Sequence, residues 1–235
     1  MDMKRIFTLV TIGILLVGCG KTDFLTDHEW IHYDSTCIET LYFGKDGHFS
    51  YYSDEGNPIN DSDLYDQYTY DFKSKKIVLK PAVDMSIHVL RYEKSRLLLN
   101  IDGDVKEFFD DKDKTMRKAF PDNLTYDTEN VMNGFSSYLA IIGIDGFQIM
   151  TAPANYDGDD PEFKKYKLLE TLEDNAEFYL WTCNVDQSNV ESNYTQLTDK
   201  EAFKMIKNGG SVGFVWYNKS AKITKIVFYG STIIK

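Results

Sequence analysis

From Trp30 to Phe109 the chain repeats one unit about every ten residues, a short apolar run followed by turn formers. Trp30-Ile31-His32-Tyr33, Thr36 to Phe43, His48 to Tyr51, Tyr68 to Phe72, Ile77 to Leu79, Ser86 to Tyr92, Leu97 to Ile101 and Val105 to Phe109 are the runs. Gly44-Lys45-Asp46-Gly47, Lys73-Ser74-Lys75, Glu93-Lys94-Ser95 and Asp102-Gly103-Asp104 separate several of them. Asp-Gly between apolar runs is a hairpin signal, because glycine accepts positive φ at no steric cost. The spacing predicts about eight short strands in a meander that closes on itself and so removes its exposed edges. Composition points the same way: 16 Tyr and 15 Phe raise the aromatic share to 14%, and flat side chains suit a pleated surface.

The second half is laid out differently. Asp110 to Asn133 holds a charged run, the breaker Phe120-Pro121-Asp122-Asn123 and a weakly helical stretch, and reads as a linker with one short helix. Tyr138 to Ile144 reads as a buried strand, turned by Asp145-Gly146 into Phe147 to Met150. Tyr166 to Leu172 and Glu177 to Trp181 read as two strands, or as one with a bulge, before a polar stretch from Asn184 to Gln196. Thr198-Asp199-Lys200-Glu201 is a capping box, in which the Thr oxygen and the Glu carboxylate each take up an orphan amide at a helix start. Ala202, Phe203, Met205 and Ile206 give that helix an apolar face and Gly209 stops it. Val212 to Tyr217 and Ile223 to Tyr229 alternate as strands around Asn218-Lys219-Ser220.

Two resemblances follow. Trp30, the hairpin Leu41-Tyr42-Phe43-Gly44-Lys45-Asp46-Gly47-His48-Phe49, Tyr68-Thr69-Tyr70 and Ile77-Val78-Leu79 together resemble the small lipocalin-like domains of bacterial lipoproteins, over roughly residues 26–112. His28 stands where lipocalins carry a glycine two residues before the Trp, a departure from the ligand-carrying members. Over about residues 134–230 the order strand, strand, strand region, helix, strand, strand is similar to OB-type barrels. The resemblances imply a mainly β protein, a lipocalin-like antiparallel β-barrel followed by a smaller OB-like β-barrel carrying one helix. OB folds often bind oligonucleotides on an aromatic and basic face. Tyr179, Trp181, Trp216 and Tyr217 supply aromatics here, but the loops are acidic.

At the N-terminus, Lys4 and Arg5 lead into Ile6 to Val17, apolar apart from Thr8 and Thr11, and Gly18 directly precedes Cys19. A positive lead, a short apolar run and a small residue form a secretory signal, too short for a spanning helix, which needs roughly 20 apolar residues. Leu16-Val17-Gly18-Cys19 resembles the lipobox of bacterial lipoproteins, which implies cleavage before Cys19, joining of its thiol to diacylglycerol, and acylation such as palmitate. The expected organisation is signal peptide 1–18, lipidated tether 19–25, first barrel 26–112, linker 113–133 and second barrel 134–235, lipid-anchored in the bacterial cell envelope on the extracytoplasmic side.

The net charge is −11, and losing Asp2, Lys4 and Arg5 with the leader makes it −12. Such a surface repels nucleic-acid phosphates and anionic headgroups, so no nucleic acid is expected and attachment falls to the lipid on Cys19. Cys37 and Cys183 can pair outside the cytoplasm or remain buried free thiols. Asp157, Asp159, Asp160 and Glu162 gather hard oxygen ligands of the kind that hold calcium, although the spacing is not that of an EF-hand and a solvated acidic turn accounts for it. The loop with Asp54, Glu55, Asp61 and Asp63 is a weaker case, and His28, His32 and His48 form a metal site only if folding brings His48 across from the other two. No G-x-S-x-G elbow, matched Cys and His, or phosphate loop is present in the sequence. The expectation is a non-catalytic binding module for a protein or envelope component, without cofactor. The alternatives are a carrier of a small apolar molecule and a calcium-binding structural subunit.

Overall fold

The apolar runs of the first half pair in sequence order. In the computed structural model, which describes residues 24–33, 38–53, 66–80, 85–110, 131–132, 134, 136–154, 165–186 and 189–234, they are β1 (Glu29–Tyr33), β2 (Ile38–Phe43), β3 (His48–Ser53), β4 (Asp66–Asp71), β5 (Lys76–Lys80), β6 (Ile87–Glu93), β7 (Arg96–Ile101) and β8 (Asp104–Asp110). Each is antiparallel to the next. Trp30 opposite Asp110 and Ile31 opposite Phe109 close β8 onto β1, giving the eight-stranded, up-and-down, lipocalin-like barrel. Gly47, at φ 88°, makes the β2–β3 turn and accepts from the Tyr68 amide at 2.8 Å.

Strand alternation divides the side chains between two cores. Trp30, Leu41, Phe43, Phe49, Leu97, Leu99 and Phe108 point into the barrel. Ile31, Tyr33, Leu98, Val105 and Phe109, one position out of phase, belong instead to the core of the second half. Phe24 and Leu25, the last residues of the expected tether, pack into the first barrel, where Leu25 is fully buried and accepts from Trp30 Nε1 at 3.1 Å.

The second half comprises β9 (Ser137–Asp145), β10 (Gln148–Pro153), β11 (Leu168–Asp186), β12 (Asn189–Leu197), α1 (Asp199–Lys207), β13 (Ser211–Tyr217) and β14 (Ile223–Ile234). Its closed barrel runs β9, β10, β11, β14, β13 and back to β9, with β11 and β14 parallel and the other pairs antiparallel. The helix comes before the fourth barrel strand, as in an OB-like barrel. α1 starts at the expected capping box, the Thr198 side chain accepting from Glu201 N at 3.4 Å and Glu201 Oε2 from Thr198 N at 2.8 Å.

One stretch decides between the alternatives of the sequence reading, and another departs from it. Tyr166 to Trp181 contributes one strand with a register shift between Leu172 and Glu177, which is the bulged alternative. The polar stretch from Asn184 to Gln196 lies largely in strand: β11 continues to Asp186 and folds back as β12. This hairpin projects from the closed barrel, since β12 pairs with β11 alone among the described strands, and such a strand needs no apolar alternation. Of the expected linker 113–133 only Val131 and Met132 are described, and Met132 is buried in the second core. No helix among the described residues is long and apolar enough to cross a membrane.

Candidate functional site

The two barrels meet over a buried charge cluster. β6 carries a register shift between Val89 and Arg91; Val89 faces the first core, and a regular strand would send Arg91 the same way. The irregularity re-aims it outward, beside Arg96 of β7 and Glu107 of β8. From the second barrel come Thr151 of β10, Glu170 of β11 and Tyr217 of β13.

Arg96 and the carboxylates of Glu107 and Glu170 are fully buried. Arg96 Nε and Nη2 donate to the two oxygens of Glu107 at 2.9 and 2.5 Å, a fork-on-fork pair. Nη2 also reaches Glu170 Oε2 at 3.2 Å, and Nη1 donates to Thr151 Oγ1 at 2.8 Å, Thr151 O at 3.2 Å and Tyr166 O at 3.1 Å. Arg91 Nη2 bridges Glu107 at 2.8 Å and Glu170 at 2.5 Å. The Thr151 hydroxyl donates to Glu170, and the Tyr217 hydroxyl lies 3.0 Å from both carboxylates.

Two positive and two negative charges thus neutralise one another, which a buried cluster requires. Burial pushes the Glu107 carboxyl up, but Arg96 and then Arg91 outweigh it and hold it below its ordinary value. Burial, followed by Glu107 and Glu170, holds Tyr217 well above the usual phenol range. Both guanidiniums stay charged, because the carboxylates more than offset their desolvation. The arrangement is a joint between barrels, with Arg96, Glu107 and Glu170 closed off from solvent and Arg91 at its edge, 17% exposed.

The opposite end of the second barrel is closed by α1, with Ala202 and Ile206 buried. Ser137 and Tyr217 mark the end facing the first barrel, through Glu107 N to Ser137 Oγ at 3.1 Å and through the cluster. Ser211, at the other end of β13, follows α1, whose Ile206 carbonyl accepts from Gly210 N. There the β9–β10 turn brings up Phe147, 81% exposed, tied to β11 by Leu172 N donating to Phe147 O at 3.2 Å. Beneath it lies a hollow of about 260 Å³ whose apolar lining includes Leu172, Ala176, Phe178 and Phe203. Glu173, Asp174 and Asp199 supply its rim of carboxylates. The β11 irregularity between Leu172 and Glu177 forms one wall and the first turns of α1 the other.

The residues singled out in the sequence fall as follows. Cys19 and Cys37, the calcium candidates Asp157, Asp159, Asp160 and Glu162, and the loop of Asp54, Glu55, Asp61 and Asp63 lie outside the described residues. Cys183 sits on β11 opposite Ser192. His28 Nδ1 is 3.0 Å from Asp110 Oδ2. Inside the first barrel, His32 Nδ1 donates to the Glu107 carbonyl at 2.9 Å. His48 stands exposed at the start of β3, its Nε2 3.8 Å from Asp46. Among the described residues no three His, Cys, Asp or Glu side chains are grouped to hold a metal ion. Trp181, Trp216 and Tyr217 are buried and offer no open stacking face. Sequence reasoning missed both Phe147 and the charge cluster. Compared with protein-family models, with curated proteins and with solved structures, the chain matches none.

Proposed function

We propose that the protein is a lipid-anchored, extracytoplasmic, non-catalytic binding module that takes a protein partner in the groove under Phe147. The observation that carries the reading is Phe147 itself, a large apolar ring left 81% exposed above an apolar hollow. Aromatic anchors next to pockets are where binding energy concentrates in protein interfaces. Asp174 and Asp199 on the rim select a segment that carries Lys or Arg beside an apolar side chain, whereas Glu173 is held by Asn218 Nδ2 at 2.7 Å. The leader Ile6 to Val17 and the Gly18-Cys19 step support the anchor.

A carrier of a small apolar molecule is the weaker reading. The first barrel's interior holds the pair Lys106 Nζ to Glu39 Oε1 at 2.6 Å, with the Tyr51 hydroxyl donating to the same oxygen at 3.0 Å. An apolar guest leaves such a pair further desolvated and gives it no hydrogen bond.

The test is a photoreactive phenylalanine analogue at position 147, irradiated in membranes of the native host. The expected result is one dominant adduct, joined to a basic and apolar segment, that disappears when Asp174→Lys and Asp199→Lys are combined. Adducts that persist through that charge reversal, or no adduct at all, contradict the reading.

A further inference from the structure

Strand parity places where the chain enters at the same end of the first barrel as three of its turns. Strands run alternately up and down, so residues 24–28 share an end with turns 44–47, 72–75 and 94–95. This point is fixed: Leu25 is buried, Asp27 N donates to Phe43 O at 3.0 Å, and the Phe24 ring packs on Tyr70 and Tyr92 at 5.7 and 4.7 Å. Only residues 20–23 separate Phe24 from Cys19, and at ~3.5 Å for each of the five steps between them the reach is no more than about 18 Å. A lipid on Cys19 therefore holds this end of the barrel against its membrane.

The surface there fits a lipid interface. Phe72, in the turn after β4, is 45% exposed, and Tyr92, near the end of β6 and packed on the Phe24 ring, is 43% exposed. Lys73 and Lys75 stand exposed in the same turn as Phe72. Asp71, the last residue of β4, is engaged by Lys73 N at 2.9 Å and Ser74 Oγ at 2.6 Å, and Asp27 is paired with Lys45, while Asp46 and Glu93 stand exposed at the same end. On the adjoining wall Tyr42, His48, Phe49 and Ser50 line an apolar hollow of about 320 Å³. Tyrosine rings settle at the headgroup level of bilayers, and lysines beside them meet lipid phosphates.

We propose that this end of the first barrel lies on the lipid surface, with Phe72 and Tyr92 at headgroup depth and Lys73 and Lys75 facing the phosphates. The inference rests on the lipid-anchor reading and deepens it: the acyl chains hold the protein, and this surface orients it. Local lysines on an acidic chain make that possible because fields at a surface fall off within about 10 Å in salt.

The experiment uses the full chain, purified from membranes with Cys19 acylation checked by mass, in phosphatidylethanolamine and phosphatidylglycerol vesicles with brominated acyl chains. Phe72→Trp and Tyr92→Trp are made separately, and Tyr52→Trp, on β3 towards the far end and 39% exposed, serves as the distal probe. The native Trp30, Trp181 and Trp216 are buried, and because Trp30 lies 6.0 Å from the ring of Tyr92, Trp30→Phe is combined with every probe and the Trp30→Phe protein alone in the same vesicles supplies the background. Expected is about a twofold loss of the emission added at 72 or 92, with none at 52, since interfacial rings lie within reach of the upper acyl chains. Unquenched emission at both 72 and 92 in acylated protein overturns the seating and leaves the anchor standing. Absence of acylation at Cys19 overturns both. Protection of this end in native membranes, but no quenching in vesicles, assigns the surface to a protein and overturns the proposal as well.

Discussion

Arg96 is the side chain the joint depends on most. It donates to Glu107, Glu170, Thr151 and Tyr166 from a fully buried position, so its removal leaves two buried carboxylates sharing Arg91 alone, one negative charge uncompensated. Arg96→Ala is expected to cost about 3–5 kcal/mol in urea unfolding, the usual penalty for leaving a buried charge unpaired. Arg96→Lys should recover little of it, because an ammonium lacks the planar fork. The pH dependence has a definite sign. Glu107 is held below its ordinary value of 4.5 in the fold, so its contribution is present above that pH and is lost as pH falls through the lower folded value. Tyr217 is held above its ordinary value of 10.0, so its contribution is present below that pH and is lost as pH rises towards the higher folded value. Unfolding midpoints across pH should show both limbs, with Glu107→Gln flattening the acid one and Tyr217→Phe weakening the alkaline one.

At the scale of single elements, α1 closes one end of the second barrel with Ala202 and Ile206 buried, and its start depends on a local exchange of hydrogen bonds. Thr198→Ala should lower stability by about 1 kcal/mol, the typical worth of such a cap, read as a shift in urea midpoint with unchanged slope. The cap, the Asp-Gly turns at Gly47, Gly103 and Gly146 and the eight strand runs were legible in the sequence because each depends on neighbours only a few residues apart. β12 was not: Asn189 to Leu197 takes its conformation from pairing along β11, with no apolar face to announce it. The joint was hidden for a related reason, since charged residues in strands ordinarily face solvent. One sign was present. Glu170 lies between Leu168 and Leu172, and Glu107 between Val105 and Phe109, at the i±2 spacing that puts each carboxylate on a buried apolar face. Phe147 follows an Asp-Gly turn as many buried residues do, and only the fold leaves its ring outside.

Across the whole molecule the outer face of the first barrel packs into the core of the second. Ile31, Tyr33, Leu98, Val105 and Phe109 of the first pack with Leu139, Ile223 and Tyr217 of the second, and the charge cluster is completed by residues from both. An interface between domains that is small and polar allows relative motion, whereas a large apolar one does not. This joint therefore fixes the direction in which the Phe147 groove points relative to the barrel end that receives the tether. The central claim is that the barrels form one mechanical unit, and equilibrium unfolding in urea, followed in each barrel separately, tests it most directly. Trp30 reports the first core and Trp181 with Trp216 the second, each read in a variant that keeps only those tryptophans. Coincident midpoints and slopes, both moving together in Arg96→Ala, are the predicted result. Two separate transitions, with only one displaced by Arg96→Ala, would contradict the account.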